Sequence, residues 1–101
     1  MTPMRIRSHP GKLLKLEIEA RKLAPGKLAQ ALAVPPRRIA DILRGRRSID
    51  PDTAIRLGRF FGNDAQFWMD LQTQHDLSVV EAERGAAIAA AVRRVASIGS
   101  P

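Results

Sequence analysis

A 101-residue chain that is 45% hydrophobic can form one core, and without cysteine it has no disulfide, thiolate metal site or cysteine nucleophile. Aromatics supply only 4% of it, so that core must come from Leu, Ile, Val and Ala, as in a helical bundle. Seventeen Lys and Arg against ten Asp and Glu leave a net charge of +7, with the excess wholly in the first 59 residues, so a polyanion is expected as partner, nucleic acid ahead of membrane.

Met1 to Arg7 carry two arginines with no apolar run behind them, so no signal peptide is expected and residues 1–8 read as an arm. Ser8-His9-Pro10-Gly11 then opens a helix whose apolar face is Leu13, Leu14 and Ile18, fading near Lys22. Pro25 opens a second, burying Leu28, Ala29 and Leu32. Pro35 and Pro36 interrupt it, because neither can donate an amide to a continuing helix. A third helix starts at Pro36, buries Ile39, Ile42 and Leu43, and ends at Gly45. Asp50-Pro51 is the clearest start in the chain, a capping aspartate followed by proline, and its helix runs through Ala54, Leu57 and Phe61 to Gly62. Asn63 or Asp64 caps a fifth helix with Phe67, Trp68 and Leu71. Ser78 and Glu81 form a capping-box spacing that predicts a separate C-terminal helix over residues 78–101, striped by Ile88, Val92 and Val95. No strand-like alternation appears, so the fold expected is all-α. The longest apolar stretch, Ala86 to Val92, is too short for a bilayer, and a soluble, cytoplasmic protein is expected.

The informative stretch is Lys27 to Arg47. Two short amphipathic helices flank Leu32-Ala33-Val34, Ala29 is small where they would cross, and Val34 and Ile39 can fill the space between them. A helix-turn-helix needs these features: a short turn, a small crossing residue, and a second helix free to enter the major groove. Position 33 is often glycine in such motifs. Ala33 must therefore either tolerate a less favourable backbone region or sit differently.

With Ile39, Ile42 and Leu43 inward, Pro36, Arg37, Arg38, Ala40, Asp41 and Arg44 are left on the outer side. Arg37 is the best candidate to read a base, since its guanidinium can take guanine O6 and N7 together. Arg38 can share that role or hold a phosphate. Asp41, one turn on, can orient an arginine or accept from a cytosine amino group. Arg44, Arg46 and Arg47 are better suited to phosphates, which position a protein without reading sequence. Arginines on a helix face are more often merely solvated, and Arg37 with Asp41 makes an ordinary i, i+4 pair. Five arginines within eleven residues, on the helix that ends a helix-turn-helix pattern, favour DNA.

At these residues the chain resembles the HigA antitoxins of the XRE/Cro-like helix-turn-helix group, over residues 9–77, about two-thirds of its length. The resemblance rests on His9-Pro10-Gly11, on Arg38 to Ile49 (RIADILRGRRSI), on Asp52 to Leu57 (DTAIRL), and on Phe60-Phe61-Gly62 followed by Phe67 to Gln72 (FWMDLQ). It implies a five-helix, lambda-repressor-like DNA-binding domain that dimerises on a palindromic double-stranded operator, represses its own operon, and neutralises a HigB toxin, a RelE-like ribonuclease. It also implies base-facing positions for Pro36, Arg37, Arg38 and Asp41, and backbone-facing ones for Lys27, Arg44, Arg46 and Arg47. The chain departs from the pattern at the second helix, where many relatives carry Ser-Gln and this one has Ala24-Pro25. The cap and one phosphate donor are lost there, and the amides of Gly26 and Lys27 can partly substitute.

His9 and His75 have no ligand set beside them in sequence, and no catalytic constellation is visible, so neither a metal, a cofactor nor an enzyme is expected. Phe67, Trp68 and Leu71 read as core or as dimer surface rather than a base-stacking platform, there being no aromatic among the arginines of 27–47. With Ile88, Val92 and Val95 they form the expected dimer or partner contact. The tail could pack on its own domain, across a dimer or onto a toxin, and its narrow stripe favours self-association. Two other functions stay open: a stand-alone repressor with no toxin, and a basic RNA- or ribosome-associated protein.

Overall fold

The computed structural model describes residues 5–95 as five helices: α1 (Pro10–Ala20), α2 (Pro25–Leu32), α3 (Pro36–Leu43), α4 (Pro51–Phe61) and α5 (Ala65–Ala91), with no strand among the described residues. Proline stands at the first position of the first four, where its missing amide costs nothing and its fixed φ suits the helix. Side chains cap two of them. His9 Nδ1 accepts from the Gly11 amide at 2.9 Å, and Asp50 Oδ1 from the Thr53 amide at 2.8 Å. At the head of α5 the backbone cap is Asp64, while Asn63 Oδ1 accepts from Trp68 Nε1 at 3.0 Å.

Leu14 and Ile18 of α1, Leu28, Ala29 and Leu32 of α2, Ile39 and Ile42 of α3, and Ala54 and Leu57 of α4 share one buried core with Val34, Ile49 and Trp68. α2 and α3 pack on each other, α1 lies against α3, and α4 against α5. The contact of α1 with α3 explains the His9-Pro10-Gly11 block: a Cβ on Gly11 would lie 2.0 Å from the Ile42 carbonyl oxygen. Only glycine lets the two backbones meet there. Gln72, buried on α5, accepts from the Ile49 amide at 2.8 Å and so ties the α3–α4 loop to α5.

Three expectations are corrected. No helix starts at Ser78, because α5 runs unbroken from Ala65 to Ala91. The Ser78 hydroxyl accepts from the Arg7 amide at 2.8 Å and donates to the His75 carbonyl at 2.8 Å, so it docks the N-terminal segment instead of capping a helix. Trp68 is no contact surface: it is 0% exposed, in the protomer's own core. The Ile88/Val92/Val95 stripe is not helical throughout, since Val92 is extended (φ −87°, ψ 129°) and ends α5. All three side chains are exposed, as is Phe67, whereas Leu71 packs partly buried against the core. The tail beyond Val95 and the arm before Arg5 lie outside the described residues.

Candidate nucleic-acid interface

α2 and α3 are eight residues each, joined by a three-residue turn whose first member, Ala33, is left-handed (φ 57°, ψ 46°). The Ala33 amide donates to Gln30 O at 3.1 Å and the Val34 amide to Ala29 O at 3.0 Å. These are the two bonds of a Schellman ending, here built on alanine instead of glycine. Of the two alternatives for Ala33, the structure takes the strained one, and burial of Val34 and Ala29 on either side of the turn supports it. α3 closes the same way on Gly45 (φ 72°), with the Arg46 amide donating to Asp41 O at 2.8 Å. Gly45 therefore turns the chain at the end of α3, where Arg44, Arg46 and Arg47 are all exposed.

The outer side of α3 divides into two. Pro36 and Arg37 are exposed, and the Arg37 side chain, 91% exposed, makes a loose pair with Asp41, Nε lying 3.7 Å from Oδ2. Arg38 is different. Its side chain is 23% exposed, its Nη1 donates to Asp52 Oδ1 at 3.1 Å, and its Nε is buried with no acceptor among the described residues. Arg47 lies 4.0 Å from Asp50 Oδ2, a loose pair at the surface. At the head of α2, Gly26 and Lys27 are exposed, but the Lys27 amide already donates to Ala24 O at 3.0 Å. Of the two amides expected to serve an anion there, only that of Gly26 has no acceptor within the described chain.

Asp52 and Arg56 stand outside the expected site residues, although their i, i+4 spacing on α4 signals a pair. Arg56 Nε donates to Asp52 Oδ1 at 2.8 Å, and Arg56 Nη1 donates to Leu32 O at 2.8 Å. The arginine thus satisfies a carbonyl left open at the end of α2. Its hydrogen bond, reinforced by Arg38, holds the Asp52 carboxyl below its ordinary pKa, against some desolvation. The fold also brings together His9 and His75, far apart in sequence, with ring centroids 5.1 Å apart and edge to face. No group of three or more His, Cys, Asp or Glu gathers into a metal-holding cluster among the described residues, and no helix there is long and apolar enough to cross a membrane.

A left-handed turn between two short helices, the second presenting arginines outward, defines a helix-turn-helix protein. A family model described as helix-turn-helix matches residues 14–68, over half of the chain. The chain is 46% identical over 77 residues to virulence-associated protein I of Dichelobacter nodosus, covering 75% of this chain and 71% of that one. Its structure is similar to that of a HigA-family addiction module antidote protein from Coxiella burnetii (38% identity, TM-score 0.84, 93% of this chain and 99% of that one). It is equally similar to Pseudomonas aeruginosa antitoxin HigA with the higBA promoter (39%, TM-score 0.85, 90% and 99%), and to antitoxin GraA in complex with its operator (33%, TM-score 0.85, 94% and 96%). The chain belongs to the HigA family of XRE-type helix-turn-helix antitoxins.

Proposed function

We propose that the chain binds a palindromic operator as a dimer, represses its own operon, and neutralises a HigB-like toxin by direct contact. The observation that carries the DNA half is α3 itself: an exposed Arg37 at its first turn, and Arg44, Arg46 and Arg47 exposed at its end. That order separates reading from anchoring, because residues at the N-terminal end of a recognition helix reach base edges while trailing cations meet phosphates. Pro36 and Asp41 accompany Arg37 at the base edges; Gly26 and Lys27 join the phosphate contacts at the head of α2. The likeness to antitoxins described with their promoter or operator supports the same docking. Binding to a toxin rests on family membership.

Two substitutions test the division of labour. Arg37→Ala is expected to cost about 1–3 kcal/mol at its base pair and to flatten the preference among operator variants. Arg46→Ala is expected to weaken all duplexes alike and to make the salt slope shallower by about one. An unchanged preference with Arg37→Ala removes the base-reading role. For the toxin half, co-expression with the product of the neighbouring gene, followed by co-purification, separates an antitoxin from a stand-alone repressor.

A further inference from the structure

Asp52 lies in the first turn of α4, where an acidic side chain ordinarily does no more than complement the helix dipole. Here a single oxygen, Oδ1, accepts from two arginines on different helices, Arg38 Nη1 at 3.1 Å and Arg56 Nε at 2.8 Å. Arg56 is itself anchored, with Nη1 on Leu32 O at 2.8 Å and 3.4 Å from Ala33 O. A line of polar contacts therefore runs from the turn of the helix-turn-helix, through α4, to the first turn of α3. Its last member, Arg38, neighbours the exposed Arg37 in sequence but not in behaviour. One is drawn back and partly covered; the other is in solvent.

This difference matters for DNA because each cation that reaches a phosphate releases counterions and adds binding that is blind to sequence. An arginine held back on a carboxylate contributes less of it. We propose that Asp52, held in place by Arg56, is a specificity-determining positioning residue that restrains Arg38 from the phosphate backbone. It suppresses binding to arbitrary duplex and leaves discrimination to Arg37. The inference rests on the DNA-binding reading. It also narrows the role expected of Arg38, from a group that shares base reading or holds a phosphate to one withheld from the backbone at random sequence.

The test compares the wild type, Asp52→Asn, Arg38→Gln and the double variant on two probes of equal length: the duplex immediately upstream of the chain's own reading frame, and a duplex of random sequence. Each is titrated at several salt concentrations, with helix content and thermal unfolding recorded for every variant. Asparagine keeps an oxygen acceptor for both arginines, so the variant removes the charge that holds Arg38 while leaving the geometry of the anchor. Asp52→Asn is expected to tighten binding to the random duplex about three- to five-fold at low salt and to steepen its salt slope by about 0.9. The preference for the upstream duplex should shrink by the same factor, and Asp52→Glu should restore wild-type behaviour. In the Arg38→Gln background the steepening should vanish, which a general loss of repulsion would not produce. An equal steepening with and without Arg38, or none in either, overturns the inference while DNA binding stands. A wild type that binds neither duplex overturns both.

Discussion

Ala33 holds a left-handed backbone in the turn between α2 and α3, as Lys22 does after α1. A left-handed conformation costs an L-residue about 1–2 kcal/mol, and glycine recovers most of that at some expense in unfolded-state entropy. Ala33→Gly is therefore expected to raise unfolding stability by about 0.5–1 kcal/mol, read from the urea midpoint at unchanged slope. A loss of stability would mean that the Ala33 methyl makes contacts worth more than the strain. Sequence alone could pose this question, from the rarity of alanine at such turns, but could not answer it. The answer came from the paired bonds of Ala33 and Val34 to Gln30 and Ala29. Arg38 was legible as an arginine on α3 and illegible as a restrained one, since its partner Asp52 lies fourteen residues away on another helix.

At the scale of elements, the start of α1 carries a pH dependence. His9 Nδ1 must be unprotonated to accept from the Gly11 amide. Burial, then the neighbouring His75, pushes the His9 pKa down, while the Arg47 backbone and Asp76 pull it the other way. The net folded value is below the unfolded one, so the unfolded chain takes the proton first as pH falls. Stability is full above the ordinary histidine value of about 6.5 and declines below it. Urea midpoints at pH 7.5 and 5.5 should show that fall, and His9→Asn, which keeps a capping oxygen without titrating, should reduce it. An identical pH profile in His9→Asn would assign the dependence elsewhere. The same region explains why Ser78 misleads. A serine three residues before a glutamate has the spacing of a helix start, but its hydroxyl answers the Arg7 amide, a partner 71 residues away. Local pattern cannot register such a contact, so a continuous helix was read as two.

For the whole molecule, the proposed dimer has a consequence in symmetry. If the chain binds as a dimer, its two α3 helices must enter grooves on one face of the duplex, with half-site centres about 34–36 Å apart or a multiple of that. Footprinting at saturation should show two protected half-sites so spaced, and sedimentation should give twice the chain mass. Protection of a single half-site would contradict the dimer. Trp68 itself is not open to a partner, because the protomer uses it for its own core. Of that expected set Phe67 and Ile88 remain exposed on α5, along with Val92 and Val95 past its end.

Helix starts, the turn residues and the inward faces of α1 to α4 were determined by the sequence itself, because prolines, capping groups and i, i+4 spacings act within a few residues. So was the charge bias toward the first 59 residues, and with it the expectation of a polyanionic partner. Tertiary structure alone decided which groups were already taken: Trp68 by the core, Ser78 by the arm, the Lys27 amide by Ala24, and Arg38 by Asp52. Most of those partners are distant along the chain, and a hydrogen bond or a buried ring depends on proximity in space, which spacing in sequence does not encode.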